Sequence, residues 1–402
     1  MKKLLILAAM AGVALVSCVK NEPAPSVTDQ HEITFAPPVV GVTTKVDLPT
    51  VYPNTESFGV FAYHYASDYT TFNEGALYMN DVLVAPEEYE VTENAVTSTH
   101  SWLTPATEKY YWPKTGSLTF AAYSPASING TDPKIASYTT NGIQFTGYTV
   151  ALAANQDLMF SDRTYNAKDS DQNINNDRYY GVDIKFNHAL SAILFQVKAE
   201  SKLVTNLKYE FYVQKIEVLN AFSKGNFNQG LTDDTPKVEN TPTVGTDFIN
   251  DWTSQSEPLG YVAYEAAKDA YGKYEATAGI YVNSASAVSA YDSDPTDGTD
   301  GNIGKADLIL LPQALTHGDV EVQVKVTYKL RHAKMATDVW IENNVVTANL
   351  TTDGVPEWFR GKRYIYTLTI DLDEIYLSPE VVDWTDETVT DKVTVENQVT
   401  NP

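Results

Sequence analysis

The chain is poorest in cysteine: one, Cys18, in 402 residues. A single thiol forbids an intramolecular disulfide and any Cys-rich zinc site. Basic residues are also scarce, with Lys+Arg 28 against Asp+Glu 52 and a net charge of −24. So acidic a chain repels phosphate backbones and anionic headgroups, which argues against a nucleic-acid partner. No H-E-x-x-H, G-x-S-x-G, Walker or dinucleotide glycine loop occurs, and the six histidines (His31, His64, His100, His188, His317, His332) form no i, i+4 pair. The sequence therefore designates no catalytic residue, no metal ligand set and no cofactor. Carboxylates are too numerous for any one pair to stand out as a glycosidase couple. Hydrophobic residues at 43 % and aromatic residues at 11 % suffice for packed cores and exclude wholesale disorder.

Apolar runs are short. The longest opens the chain: Lys2 and Lys3 precede an apolar stretch from Leu4 to Val16, about 13 residues where a membrane span needs roughly 20. It reads as the h-region of a signal peptide, and Leu15-Val16-Ser17-Cys18 resembles a bacterial lipobox. On that reading residues 1–17 are removed and Cys18 is diacylated, the acyl chains anchoring the protein in the outer membrane. Ordinary secretory cleavage beside a chance cysteine is the alternative. Residues 19–30 are polar, contain proline and read as a tether.

From residue 31 the dominant period is two, with β-branched and aromatic residues between turn residues. Strands are expected at 33–35, 58–63, 117–123, 182–186, 192–198, 213–219, 307–311, 320–328 and 364–370. In the last but one, Val320, Val322, Val324, Val326 and Tyr328 share a face opposite Glu, Gln, Lys and Thr. One short helix is expected at 264–271. Many short strands and few helices predict an all-β protein of two β-sandwich domains in tandem. The polar stretch 166–178 places the boundary, giving domains 46–178 and 179–402. His188 reads as a packed histidine and the aromatics as core. Asp169-x-Asp171-x-Asn173-x-Asn175-x-Asp177 and Asp292-x-Asp294-x-x-Asp297 space oxygen ligands somewhat as calcium loops do. In the first, Ile174 stands where the turn glycine belongs, and solvated loops are the reading for both.

Both ends carry detachable-looking strands. Ile33 and Phe35 alternate with Glu32, Thr34 and Ala36 before Pro37-Pro38 closes the pattern. Val389, Val393, Val395 and Val399 occupy odd positions in 388–400, where every even position is polar. Extended at about 3.3 Å per residue, 389–399 would reach roughly 35 Å, enough to line a sandwich groove. It could equally be the last strand of its own domain.

Several segments, in order, resemble the Bacteroidetes fimbrillin superfamily, the lipoprotein-derived type V pilins, and especially its Mfa-like branch. They are Ile33-Thr-Phe35, Phe58-Gly-Val-Phe-Ala-Tyr63, Tyr111-Trp-Pro113, Leu118-Thr-Phe-Ala-Ala-Tyr-Ser-Pro125, Asp157-Leu-Met-Phe160, Phe186-Asn-His-Ala-Leu-Ser-Ala-Ile-Leu-Phe195, Leu308-Ile-Leu-Leu-Pro-Gln313, Trp358-Phe-Arg-Gly-Lys-Arg-Tyr-Ile-Tyr366 and Val382-Asp-Trp384. The resemblance implies transthyretin-like sandwiches, no enzymatic activity and removal of the first strand, 18–45 with its lipid, by a processing protease. The family cuts after Arg or Lys following a Thr-rich stretch. That position is Lys45-Val46 here, behind Thr43-Thr44, and the chain has no arginine before Arg163. Implied partners are other fimbrial subunits, bound by β-strand complementation through the valine face of 388–400. A permanently lipid-anchored surface module that binds glycans or a host surface is the alternative.

Overall fold

In the computed structural model, residues 31–41, 50–91, 96–128, 135–150, 156–171, 181–230, 251–270, 273–274, 278–283, 285–289, 303–304, 307–336, 339–371 and 374–383 are described. They are almost all β. Among the described residues, helical geometry is confined to one run at Lys202–Asn206 and short turns such as Phe72–Glu74 and Asp169–Asp171.

The first sheet is built on strands rich in aromatic and β-branched residues. In chain order these are β1 (Val39–Val40), β2 (Thr50–Val51), β3 (Phe58–Tyr65), β4 (Ala76–Val91), β5 (Val96–Leu103) and β6 (Ser117–Ser124). The hairpin β7 (Ala136–Thr139) and β8 (Gly142–Thr149) belongs to another sheet; β9 (Met159–Ser161), β10 (Thr164–Ala167) and β11 (Lys185–His188) return to the first. Its order is β2-β1-β11-β9-β6-β3-β4-β5, with β10 beside β6. All eight residues of β6 are buried because the sheet is covered on both faces. Phe58, Val60, Leu118, Phe120 and Ala122 enter one core with Ile33, Phe35, Trp102 and Phe186. Phe61, Ala121, Tyr123 and Phe160 face a larger core shared with the rest of the chain.

That larger core lies between two further sheets. One contains β12 (Ser191–Ala199), paired in parallel over eight residues with Lys362–Ile370, which pairs antiparallel with Ile375–Asp383. The other is organised by the 20-residue β13 (Tyr209–Asn228). Its first half pairs with Gln323–His332, and its second half pairs with β8 on one edge and β14 (Trp252–Glu265) on the other. Inward residues from both sheets, among them Phe195, Val197, Tyr366, Val213, Ile216 and Val324, are at most 1 % exposed.

The expected boundary at 178 lies outside the described residues, and the strands flanking it are interleaved. The β7–β8 hairpin precedes it yet pairs with β13, and β11 follows it yet pairs with β1 and β9. Arg163 fastens the hairpin to the first sheet. Its buried guanidinium donates to the carbonyl oxygens of Thr139 and Thr140 and to the Tyr69 hydroxyl, and lies over the Tyr138 ring.

Two local expectations are corrected. No described residue of 264–270 is helical: Tyr264 and Glu265 finish β14, and the Ala266 amide continues the pairing by donating to the Gln214 carbonyl. Tyr264, Ala266 and Ala267 are buried, so tertiary burial overrides the alanine-rich helix propensity. Val322, Val324, Val326 and Tyr328 are buried as expected, but Val320 is 46 % exposed. It sits in the small hairpin Thr316–His317/Val320–Glu321, turned at Gly318 with φ +64°, ahead of the sheet proper.

Candidate functional site: the clamped N-terminal segment

Residues 31–41 cross the first core as an extended segment bonded along both edges. On one edge the amides of Ile33 and Phe35 donate to the carbonyls of Tyr110 and Trp102 (2.8 and 3.0 Å), and the Trp112 amide donates to His31. On the other edge the segment runs parallel to 182–186. The Val182 amide donates to Thr34, and the amides of Ala36, Val39 and Gly41 donate to Val182, Ile184 and Phe186. Val39 and Val40 are also paired antiparallel with Val51 and Thr50. The segment is therefore an interior strand for part of its length.

The alternation read from the sequence determines what it buries. Ile33 and Phe35 are 0 % and 1 % exposed, and Val40 joins them in the same core. The Phe35 ring meets Phe58 and Phe120 edge-on at centroid distances of 5.7 and 5.9 Å, the arrangement the aromatic quadrupole favours. Tyr52, directly after β2, continues the aromatic floor, 5.2 Å from Phe186 and 6.0 Å from Phe58. Burial pushes its phenol well above the usual range, and its hydroxyl bonds to the Ser124 hydroxyl and donates to the Ser57 carbonyl. At the rim, His31 pairs with Asp169 (2.8 Å) and Glu32 with Lys109 (2.7 Å); such exposed pairs contribute little.

Gly181 sets how closely 182–186 can approach. A Cβ there would fall 2.4 Å from the Phe35 carbonyl carbon, so only glycine admits the segment at this spacing. Neither Gly181 nor the parallel partner was among the sequence candidates; the glycine directly ahead of Val182-Asp-Ile-Lys-Phe186 was the available signal. Beyond the segment, Val39–Val40 and Thr50–Val51 pair antiparallel, and residues 42–49 between them lie outside the described residues.

Of the remaining candidates, Cys18, Lys45, Val46, Val389, Val393, Val395 and Val399 lie outside the described residues. The second acidic loop does too. In the first, Asn173, Asn175 and Asp177 also lie outside the described residues and Asp169 is engaged by His31; no cluster of three or more His, Cys, Asp or Glu side chains suited to a metal occurs among the described residues. His188 is packed as expected, 4 % exposed, its Nδ1 2.8 Å from the Asp157 carboxylate. Most large aromatics are core, as Trp358, Tyr148, Tyr328, Tyr364 and Tyr366 are fully buried, whereas Tyr111, Tyr281 and Tyr376 are exposed.

A family model described as fimbrillin-like matches residues 44–384, starting just after the clamped segment. The chain belongs to the fimbrillin-like family. Among solved structures, a fimbrial protein from Bacteroides vulgatus is 18 % identical with a TM-score of 0.53, over 88 % of this chain and all of its own. A protein from Bacteroides uniformis assigned to cell adhesion is 14 % identical (TM-score 0.44, 88 % and 99 % covered). The fimbrial anchor protein Mfa2 from Porphyromonas gingivalis is 10 % identical (TM-score 0.29, 88 % and 98 % covered). The first of these shares the fold. No curated protein matches.

Proposed function

We propose that this fimbrillin-like chain is a structural subunit of a bacterial surface fimbria serving adhesion. It is exported as an outer-membrane lipoprotein through Cys18, and it assembles after a protease cuts at Lys45-Val46 and a neighbouring subunit's strand replaces residues 31–41. The observation that carries this reading is the clamped segment. It is short, bonded through its backbone on both edges, rooted in the core by Ile33 and Phe35, and joined to the fold through the 41–49 connection. Backbone bonds give such a groove affinity for any strand of matching period, while alternate side chains give register. The valine face of 388–400 supplies that period, and four buried valines at about 1.5–3 kcal/mol each would give several kcal/mol before ordering costs. The work of the subunit is mechanical, its partners being other subunits, the protease and, before processing, the membrane.

The test is treatment of purified 19–402 with a Lys/Arg-specific protease, followed by mass spectrometry of the new N-terminus and negative-stain microscopy. A cut after Lys45 followed by filaments, abolished by deleting 388–402, is the expected result. A chain that is cut there and remains monomeric at high concentration contradicts strand exchange and favours a permanently anchored binding module.

A further inference from the structure

We propose that the outer face of the sheet organised by β13 binds an uncharged glycan, with Tyr281, Tyr212 and Trp340 as the stacking surface. The site rests on the adhesive reading, to which it gives a ligand class. It belongs to a different sheet from residues 31–41 and is independent of strand exchange.

Strand register brings the side chains together. Tyr212 of β13 pairs with Tyr281 of Ile280–Val282 on one side and with Lys329 of Gln323–His332 on the other, and Glu210 pairs with Arg331. Alternation sends their neighbours Phe211, Val213, Val282 and Leu330 into the core, so these five point the opposite way. Trp340, just before Ile341–Asn349, adds a third ring: Tyr212 lies 4.9 Å from Tyr281 and 5.1 Å from Trp340. Tyr281 is 39 % exposed, and Tyr212 and Trp340 are half-buried. One exposed aromatic is ordinary; three in contact on the outer face of a sheet mark a recognition surface. The surrounding charges select the ligand. Lys329 Nζ lies 5.2 Å from the centroids of both Tyr212 and Trp340, and the Arg331 guanidinium 4.7 Å from that of Trp340. Lys329 is only 1 % exposed, so its ammonium lies beneath the rings. These internal cations already take cation–π positions, which disfavours a cationic ligand. Arg331 pairs with Glu210 (2.7 Å), which also bonds the Tyr281 hydroxyl, and the Glu342 carboxylate lies near Lys329, so the two positive charges are balanced. A balanced patch in a chain of net charge −24 gives an anionic ligand no net attraction. What fits is an uncharged ligand with an apolar face and a hydroxyl-rich edge, as in a pyranose sugar. Its C–H face meets the negative face of an aromatic ring, and Glu210 and Asn283 at the Tyr281 hydroxyl stand beside the rings to bond sugar hydroxyls. Rings held by Lys329, Arg331 and Glu210 lose little freedom when a ligand stacks on them.

The experiment is native electrophoresis of the 19–402 chain through gels containing dextran, mannan, laminarin or xylan, with hyaluronan and heparin as anionic probes. At least one neutral polysaccharide is expected to retard the protein, equally at low and high salt. Tyr281→Ala should weaken that binding by about tenfold or more. Tyr376→Ala, which removes an exposed tyrosine from a different sheet, should leave it unchanged. Thermal melts confirm that both variants are folded. Retardation by none of the neutral polysaccharides, by the anionic ones alone, or equally for wild type and Tyr281→Ala overturns the proposal. A concentration-dependent dimer that Tyr281→Ala abolishes also overturns it, by giving this face to a second copy. Filament formation keeps the readings apart. Tyr281→Ala is expected to lose sugar binding and still assemble, whereas a wild-type chain that binds sugar and never assembles removes the fimbrial reading and leaves this site standing.

Discussion

Truncating Phe35 tests whether the N-terminal segment is part of the first core or merely lies across it. Its ring is 1 % exposed and contacts Phe58 and Phe120 edge-on at 5.7 and 5.9 Å. A buried Phe→Ala change costs about 3–5 kcal/mol in transfer and cavity terms, a range that already contains the loss of such ring contacts. For a cooperative unit of about 150–250 residues, each kcal/mol moves Tm by about 2–4 °C, so Phe35→Ala should lower the first transition by about 6–20 °C. Calorimetry of the uncut 19–402 chain reads the shift. Val320→Ala is the control: with Val320 46 % exposed, it should stay within about 0.5 kcal/mol. A Phe35→Ala loss under about 1 kcal/mol in the uncut chain would refute the claim that this side chain fills the core.

Gly181→Ala forces a Cβ to within 2.4 Å of the Phe35 backbone, so overpacking of about 1–3 kcal/mol should appear as a lower urea midpoint. An unchanged midpoint would mean the strands separate there without cost. Arg163→Met removes the charged donor that holds Thr139 and Thr140, a loss of about 1.5–3 kcal/mol by chemical denaturation, and β7–β8 amides should lose exchange protection first. Alkaline pH should unfold the protein from about pH 10 upward. Burial raises the phenol pKa values of Tyr52, Tyr123 and Tyr366, and raises that of Tyr274 to about 12, whereas unfolded tyrosine titrates near 10. Between those values the unfolded chain has released protons the folded chain retains, so stability present below pH 10 falls as pH rises. Phenolate absorbance of these residues should appear together with loss of the β signal; free titration in a folded protein would contradict their burial.

Legibility followed locality. The strands at 58–65, 117–124, 191–199, 323–332 and 362–370 were readable because alternation or a continuous apolar run marks them within a few residues. The second half of β13 was not: Asn220-Ala-Phe-Ser-Lys-Gly-Asn-Phe-Asn228 holds three Asn and one Gly, and it is extended because β8 and β14 flank it. The same dependence on distant partners hid the interleaving across 178, since pairing of β8 with β13 leaves no mark in either sequence. At the site, Ile33 and Phe35 were legible from alternation alone. Their parallel partner at 182–186 is about 145 residues away in sequence, and register between such strands is set by packing rather than by any adjacent motif.

Electron cryomicroscopy of the assembled form tests the central claim most directly, by identifying the chain that lies between residues 102–112 and 182–186. The account requires residues of a neighbouring subunit there, with valines of 389–399 where Ile33 and Phe35 sit, and no density for 31–41 of the same chain. Filaments in which each subunit keeps its own Ile33 and Phe35 in that groove would contradict it.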